Sequence, residues 1–264
     1  MAKRWQPEGS LAIVTGASSG MGRAFCRLIA ARGCQVVVVA RREDRLRTLC
    51  DEFEPGLLHP VVGDITNPTV RDSTFQLAQG LREGRLDLLV NNAGIGAIGP
   101  FCDASEERLR RIMEVNFFAP TEWTRQALPM LKRGRQPVIC NVGSVLGHRA
   151  VPDKSEYSAS KFALHGWTDS LRAEVSEDGI QCTLVSPSTT ESEFFDSLID
   201  TESESSSVRF GAWKPEKVAR TMLAAITSRR SEVICSVGGK ALVYADRISP
   251  PLMNAVLAMT AKKE

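Results

Sequence analysis

The 264-residue sequence has no apolar run near the roughly 20 residues that a membrane-spanning helix needs. Its first residues are polar and lack the apolar core of a signal peptide, so we expect no secretion. Its 33 basic and 31 acidic residues nearly cancel, which leaves no overall field to attract nucleic acid or an anionic membrane. Its seven cysteines form no Cys-x-x-Cys pair, which argues against a disulfide framework and against a bound metal. The composition therefore predicts a cytoplasmic globular protein with mostly buried free thiols.

A glycine-rich turn follows the first apolar run. Residues 11–15 are typical of a buried strand, the next seven follow the pattern G-x-x-x-G-x-G, and residues 23–32 have helical spacing. Glycines let a backbone approach a pyrophosphate closely, and the N-terminus of a helix offers unpaired N–H groups. The turn is therefore predicted to bind a dinucleotide through Gly16, Ser18, Ser19, Gly20, Met21 and Gly22.

Two arginines follow the second predicted strand, residues 35–40. In dinucleotide-binding folds a carboxylate at this place binds the ribose 2′-OH, whereas arginine accommodates a 2′-phosphate. Arg41 and Arg42 occupy it here, and the first carboxylate is Glu43. They predict NADP(H) in preference to NAD(H). The alternative is that both arginines only solvate the start of the next helix.

Strands and helices continue to alternate, which predicts a parallel sheet with helices on both faces. Further strands are expected at 57–63, 86–90, 137–140, 180–185 and 231–235, and helices at 69–83, 105–132, 155–177 and 215–228. Asparagine is a poor residue for a helix interior, because its side chain competes for backbone hydrogen bonds. Asn116, in the middle of the long helix, therefore either caps a local break or holds a functional water.

A serine, a tyrosine and a lysine follow the fifth strand in an order that fits acid–base chemistry. Ser144 comes directly after the strand, and Tyr157 and Lys161 share one face of a helix that Ser155 can cap. A nearby cation would lower the pKa of Tyr157 from its usual value of about 10. Tyr-x-x-x-Lys pairs also arise by chance, so this spacing alone does not define a site.

Two segments near the C-terminus differ from the regular alternation. Residues 191–212 are rich in acidic residues and serine, and Phe194 and Phe195 pair with apolar residues four positions later. A long insertion at the ligand edge of a sheet is often a lid, and the alternative is a solvated connection. Residues 238–264 are weakly amphipathic, and core packing or a subunit contact explains such a segment more often than a membrane surface.

Taken together, these motifs resemble those of the short-chain dehydrogenases/reductases. The resemblance covers residues 9–190 and is carried by Thr15-Gly16-x-x-x-Gly20-x-Gly22, Asn91-Asn92-Ala93-Gly94, Asn116, Ser144 and Tyr157-x-x-x-Lys161. It implies an α/β fold: a Rossmann-type, doubly wound, mostly parallel seven-stranded sheet in a single domain, assembled as a homodimer or homotetramer. One departure is Ser188 after Pro187, where the family usually has glycine. Serine is small enough for cofactor binding to survive, but the nicotinamide pocket is expected to change.

The resemblance also implies a role for each matching residue. Tyr157 would be the general acid/base, Ser144 would orient the substrate oxygen, and Lys161 would hold the nicotinamide ribose and lower the pKa of Tyr157. Asn116 would position a water between Lys161 and solvent. Further cofactor contacts are implied for Asp64, Ile65, Asn92, Ala93, Gly94, Pro187, Thr189 and Thr190.

These residues predict an NADP(H)-dependent oxidoreductase that interconverts a ketone or aldehyde and an alcohol, with carbonyl reduction as the favoured direction. The alternative is an NADP(H)-binding regulator or scaffold without turnover, and the retained Ser144, Tyr157, Lys161 and Asn116 speak against it. An apolar carbonyl substrate is expected, with no nucleic-acid or membrane partner. Its candidate contacts, besides Ser144, are Ile95, His148, Val151, Phe194, Phe195 and Trp213, although a lone loop histidine is more often structural.

Overall fold

A computed structural model describes residues 4–190, 198–199 and 212–261. Its centre is a seven-stranded sheet in the order β3-β2-β1-β4-β5-β6-β7, and every strand pair is parallel. The winding starts at β1, runs outward to β3, and then returns to β4 and runs outward to β7. This order confirms the predicted doubly wound sheet. The strands are β1 (Leu11–Thr15), β2 (Gln35–Ala40), β3 (Leu58–Val62), β4 (Leu88–Asn91), β5 (Val138–Val142), β6 (Gln181–Ser186) and β7 (Glu232–Ile234).

Helices cover both faces of this sheet. In β1, Ala12 and Val14 pack into the core on one face, whereas Leu11 and Ile13 pack into the core on the other. Because both faces are covered, all five residues of β1 are buried and the strand reads as one continuous apolar run. The helices are α1 (Gly20–Ala30), α2 (Glu43–Cys50), α3 (Pro68–Gln79), α4 (Glu106–Met113), α5 (Ala119–Leu131), α6 (Ser155–Glu174), α7 (Pro215–Thr227), α8 (Val237–Ile248) and α9 (Pro250–Ala261). Within the described ranges, no helix is long and apolar enough to cross a membrane.

The helical stretch predicted at 105–132 is helical over 106–131, but it is not one regular α-helix. A π-helical turn over Glu114–Phe118 separates α4 from α5. Such turns are rare in helices and often mark functional sites. Asn116 lies inside this turn, which supports the interpretation of that residue as part of a local break.

Two helix boundaries also differ from the prediction. α3 ends at Gln79 rather than at 83, because Arg82 and Glu83 adopt positive φ angles of 47° and 61° and form a separate 3-10 turn. At the start of α6, Lys154 is the capping residue and Ser155 is already helical. The Ser155 hydroxyl contacts the carboxylate of Glu156 at 3.2 Å instead of capping the helix.

The sheet topology brings the predicted motifs to one edge. In parallel strands the carboxyl ends lie side by side, and ligands bind there in open α/β sheets. The glycine-rich turn follows β1, Arg41 follows β2, Asp64 comes after β3, Asn92 follows β4, Ser144 comes after β5, and Pro187 follows β6.

Candidate active site

The glycine-rich turn forms one wall of a cavity at this edge. Gly16 has a φ of +69°, in the left-handed region that side-chain-bearing residues rarely adopt, and the chain then turns into α1. Ser19, Gly20 and Met21, at the N-terminus of α1, line the cavity. Backbone N–H groups and the positive end of the helix dipole make this wall suited to an anionic group.

Asn92 fastens the glycine-rich turn to the end of β4. Its backbone N–H donates to the Thr15 hydroxyl at 3.0 Å, and its side-chain amide donates to the carbonyl oxygens of Thr15 at 2.9 Å and Gly16 at 3.2 Å. A side chain on Gly22 would collide with this amide and with the Gly16 carbonyl. Gly22 thus packs behind the turn rather than lining the cavity. Asn91 points into the core, where its amide donates to Asn141 at 2.8 Å.

This first cavity, of about 360 Å³, lies between the ends of β1, β2, β3 and β4. Arg42 donates to the hydroxyls of Ser19 at 2.6 Å and Ser18 at 3.2 Å, while Arg41 is exposed beside it. Arg111 was not singled out from the sequence, yet it lines the cavity and donates to the Asp64 carboxylate at 2.6 Å. The cavity is lined by Gly16, Ser18, Ser19, Gly20, Met21, Ala40, Arg41, Arg42, Gly63, Asp64, Ile65, Asn92, Ala93, Gly94, Ile95, Arg111 and Val115.

Two residues of this cavity had predicted roles, Asp64 as a cofactor contact and Ile95 as a substrate contact. Partial burial alone would raise the pKa of Asp64, but hydrogen bonds from Thr66 and Arg111 hold it below its usual range. The residue is therefore a carboxylate at neutral pH with an arginine partner. Ile95, expected at the substrate, lines this cavity and not the second one, and its contact with substrate stays a prediction.

A second cavity, of about 780 Å³, adjoins the first and holds the acid–base residues. The two cavities share Met21, Asn92 and Gly94 as lining residues. One part of the second cavity is lined by Ser144, Tyr157, Lys161, Pro187, Ser188, Thr189 and Thr190. The sequence predicted a role for each of these residues except Ser188. The apolar part of the cavity contains Ala97, Ile98, Val145, Leu146, Val151, Leu198, Trp213 and Leu242. A largely apolar cavity with a few convergent polar groups is typical of a small-molecule site.

Ser144, Tyr157 and Lys161 converge as the sequence predicted. The Ser144 and Tyr157 side chains are hydrogen-bonded, and the Ser144 oxygen also accepts from the backbone N–H of Leu146 at 3.1 Å. The ammonium of Lys161 donates to the Val142 carbonyl oxygen at 2.9 Å and lies 5.7 Å from the centre of the Tyr157 ring. β5 and α6 together therefore position all three groups.

Burial controls the protonation of this pair. It raises the pKa of Tyr157 to about 12, although the hydrogen bond with Ser144 acts in the opposite direction. It lowers the pKa of Lys161 to about 8. The expectation of a pKa below 10 for Tyr157 is therefore wrong for this arrangement, because burial outweighs the influence of Lys161, whose ammonium is directed at Val142. At neutral pH the phenol keeps its proton.

Asn116 joins the π-helical turn to the end of β4 and to α6. Its side-chain oxygen accepts from the Ile95 N–H at 2.9 Å, and its amide donates to the Ile95 carbonyl and the Ser160 hydroxyl, each at 2.9 Å. Both amide hydrogens are used by protein groups, so the role in holding a water stays a prediction. A side chain on Gly94 would press on the Asn116 amide and approach Lys161. Glycine at 94 thus permits this close packing.

His148 lines neither cavity, so the structure gives no support to its predicted contact with substrate. Its Nε2 atom lies 3.0 Å from the Ser186 hydroxyl and 3.1 Å from the Glu232 carboxylate, and its side chain is only 2% exposed. It packs between β6, β7 and α6 and is structural. Phe194, Phe195 and nearly all of the predicted lid at 191–212 lie outside the described residues.

Sequence reasoning missed the contribution of α8 to the second cavity. The segment 238–264 was assigned to packing or subunit contact, yet Ser236, Val237, Gly238, Gly239 and Leu242 line the cavity. The Ser236 hydroxyl accepts from the Gly239 N–H at 2.8 Å and caps α8. A serine before an apolar helical pattern is a recognised helix start, and this signal could have placed the element. Two further cationic residues, Lys154 and Lys217, line the same cavity.

Comparisons with known proteins identify the family of this chain. The family model described as short chain dehydrogenase matches residues 10–203. Dehydrogenase/reductase SDR family member 7B of Xenopus tropicalis is 30% identical over 270 residues, covering 97% of this chain and 87% of that protein.

Solved structures extend the likeness to the whole fold. A short chain dehydrogenase/reductase from Burkholderia phymatum in complex with NAD is 25% identical, with a TM-score of 0.85 over 94% of this chain and 96% of that one. A short chain dehydrogenase from Burkholderia cenocepacia in complex with NADP is 27% identical, with a TM-score of 0.82 over 96% and 99% of the two chains. The chain therefore belongs to the short-chain dehydrogenase/reductase family of NAD(P)-dependent oxidoreductases.

Proposed function

We propose that this protein reduces an apolar ketone or aldehyde to an alcohol with NADPH, with Tyr157 as the proton donor. The observation that carries the proposal is the convergence of Ser144, Tyr157 and Lys161 in an apolar cavity that adjoins the glycine-lined one. A cofactor in the first cavity and a substrate in the second would meet at this point.

The first cavity fits a nicotinamide dinucleotide phosphate. The glycine-rich turn and the start of α1 suit its pyrophosphate, and Arg41 and Arg42 suit a 2′-phosphate on its adenosine ribose. Among the described residues that line this cavity, the single carboxylate is Asp64, which is paired with Arg111. Related structures carry either NAD or NADP, so the fold does not distinguish the two cofactors. The argument for NADP(H) comes from the two arginines.

The chain's own residues supply the acid–base part of the reaction. When bound, the cofactor supplies the hydride. Tyr157, protonated at neutral pH, donates its proton to the substrate carbonyl oxygen, and Ser144 orients that oxygen by a hydrogen bond. Lys161 holds positive charge near the phenol below pH 8 and favours the phenolate left after the transfer. Positioned proton transfer of this kind typically contributes about 10²–10⁴-fold to a rate.

Replacing Tyr157 by phenylalanine tests the proposal. We expect kcat/KM for a panel of apolar ketones and aldehydes to fall about 10²–10⁴-fold, measured by NADPH absorbance, because the proton donor is gone. NADPH affinity should stay nearly unchanged. Tyr244→Phe is the matched control, since Tyr244 is an exposed residue of α8 and lines neither cavity. Equal activity of Tyr157→Phe and the wild type would contradict the assignment, and tight NADPH binding without turnover of any compound would favour the regulator or scaffold.

We also propose a cytoplasmic homo-oligomer. The seven cysteines are unpaired and five of them are buried, which fits a reducing compartment. Phe118, beside Asn116, and Phe162, on α6, are 48% and 43% exposed. These apolar residues support a subunit contact through the helices that carry Asn116 and Tyr157.

A further inference from the structure

The last two helices present a cluster of exposed apolar side chains. Of the eleven large hydrophobic residues exposed within the described ranges, six lie on α8 and α9. Val237 is 83% exposed, Ile248 84%, Leu252 65% and Met259 61%, and Tyr244 and Val256 complete the set. We call these six residues the C-terminal apolar face. Exposed large apolar side chains concentrated on two successive helices suit an interaction site better than an ordinary protein surface.

This face begins at the mouth of the second cavity. Val237 belongs to the C-terminal apolar face and also lines the cavity, and Leu242, one turn further along α8, lines it as well. Whatever covers the face therefore lies next to the entrance of the proposed substrate site. A partner that itself dissolves apolar molecules could deliver a substrate directly into the cavity.

Basic and amphipathic residues accompany the apolar ones. Lys240 and Arg247 on α8 are exposed, and the Arg247 guanidinium lies 5.9 Å from the centre of the Tyr244 ring. Asp246, the acidic residue of α8, is paired with Arg149 at 2.8 Å. The sequence after α9 reads Lys262, Lys263 and Glu264, two basic residues and one acidic residue. Apolar side chains next to lysine, arginine and tyrosine match the chemistry of an anionic lipid surface.

The dimensions of the face favour a lipid surface over a second copy of the chain. Each of the two helices has 12 residues, so each is about 18 Å long and about 10 Å wide. One side of the pair thus covers roughly 360 Å², less than half of the roughly 800 Å² that each partner buries in a stable complex. A lipid surface requires no such complementary partner area.

We propose that the C-terminal apolar face docks on a lipid surface containing anionic lipids and that the second cavity opens toward it. The apolar substrate then enters from the lipid rather than from water. From the sequence, a membrane surface ranks below core packing or a subunit contact for this segment, because the exposure of α9 is not visible in its weakly amphipathic pattern. The substrate route rests on the proposed function, whereas the docking does not.

Binding to vesicles tests the docking without cofactor or substrate. The full-length protein is sedimented with phosphatidylcholine vesicles, with and without phosphatidylglycerol. We expect binding to both, stronger with phosphatidylglycerol and weakened by salt. The double variant Leu252→Glu with Met259→Glu should bind at least about tenfold more weakly, because two apolar anchors are replaced by charges that the surface repels. Leu77→Glu on α3, where Leu77 is 36% exposed, is the matched control and should bind as the wild type does.

Further measurements separate the alternatives. Thermal midpoints check that each variant is folded, and light scattering of the eluting protein gives its oligomeric state. The proposal is overturned if the wild type binds neither kind of vesicle, or if the double variant binds as strongly as the wild type. Dissociation of an oligomer by the double variant also overturns it, because the face would then be an interface between copies of this chain. Reduction of a short, water-soluble carbonyl should be equal in all variants, so loss of the proposed activity is distinguishable from loss of docking.

Discussion

Lys161 is a buried lysine, with only 4% of the residue exposed. The ammonium has one backbone acceptor, the Val142 carbonyl, and burial lowers its pKa to about 8. Folding therefore places a charge where the protein interior disfavours it. A group that is needed for chemistry and costs stability is common in active sites.

Lys161→Met should make the protein more stable at pH 7 and abolish carbonyl reduction. A pKa of about 8 instead of 10.5 corresponds to about 3 kcal/mol of unfavourable burial. Removing the charge would therefore stabilise the variant, but the lost hydrogen bond to Val142 offsets about 1 kcal/mol of this gain. The variant should be about 2 kcal/mol more stable than the wild type. Because the pKa is lower in the folded state, wild-type stability rises with pH between about 8 and 10.5, and the advantage of the variant should shrink over that range. Urea unfolding at a series of pH values measures it.

Lys132→Met is the matched control for this prediction. Lys132 is 53% exposed and pairs with Asp178 at 2.9 Å on the surface, so its loss should change stability by less than about 1 kcal/mol. A Lys161 variant that is less stable than the wild type at pH 7, or an advantage that does not vary with pH, would contradict the burial argument.

At the scale of single residues, the sequence predicted the convergence of the candidate acid–base groups better than their surroundings. Ser144, Tyr157 and Lys161 were placed correctly because strand ends and helical spacing are local properties. His148 and Ile95 do not line the cavity that holds these groups, because the side on which a loop residue lies depends on distant partners such as Glu232. The pKa of Tyr157 was also wrong in direction, since sequence spacing reveals a nearby cation but not the degree of burial.

The helices around the site are held by polar contacts between elements. α4 and α6 are joined by an ion pair between Arg108 and Glu156 at 2.8 Å, in which the two side chains are 3% and 2% exposed. Glu156 directly precedes Tyr157, so this pair fixes the start of the helix that carries the proposed proton donor. Neither the pair nor the π-helical turn beside it follows from local sequence, because both depend on packing between elements.

Glu156→Gln should lower the free energy of unfolding by about 3–5 kcal/mol, because it removes the negative charge from a buried ion pair with the Arg108 guanidinium. Chemical denaturation measures the change. The control is Glu106→Gln, which breaks an exposed pair with Arg110 in the same helix, α4, and should change stability by about 0.5 kcal/mol or less. Similar losses in both variants would show that burial of the ion pair does not determine its contribution.

The whole molecule follows the sequence closely where the chain alternates regularly and less closely where it does not. Each strand was expected within a few residues, since buried parallel strands are short apolar runs between helices. The order of the sheet then placed six separate motifs on one edge. The start of α8 differs because its position depends on tertiary packing: it lines the second cavity. The predicted lid stays a prediction.

Cofactor preference can be measured on the whole molecule through its thermal stability. A ligand at about 100 times its Kd stabilises the folded state by about 2.7 kcal/mol, which for a chain of this size raises Tm by about 5–10 °C. At equal concentrations we expect NADPH to raise Tm more than NADH, because Arg41 and Arg42 can pair with the 2′-phosphate.

The double variant Arg41→Asp with Arg42→Asp should lose the advantage of NADPH and keep or increase the response to NADH. Arg47→Asp, on the exposed side of α2 and outside the cavity, changes one arginine of the same region in the same way and should retain the preference for NADPH. Equal shifts with NADPH and NADH in the wild type would refute the role of the two arginines while leaving the acid–base assignment of Tyr157 untouched.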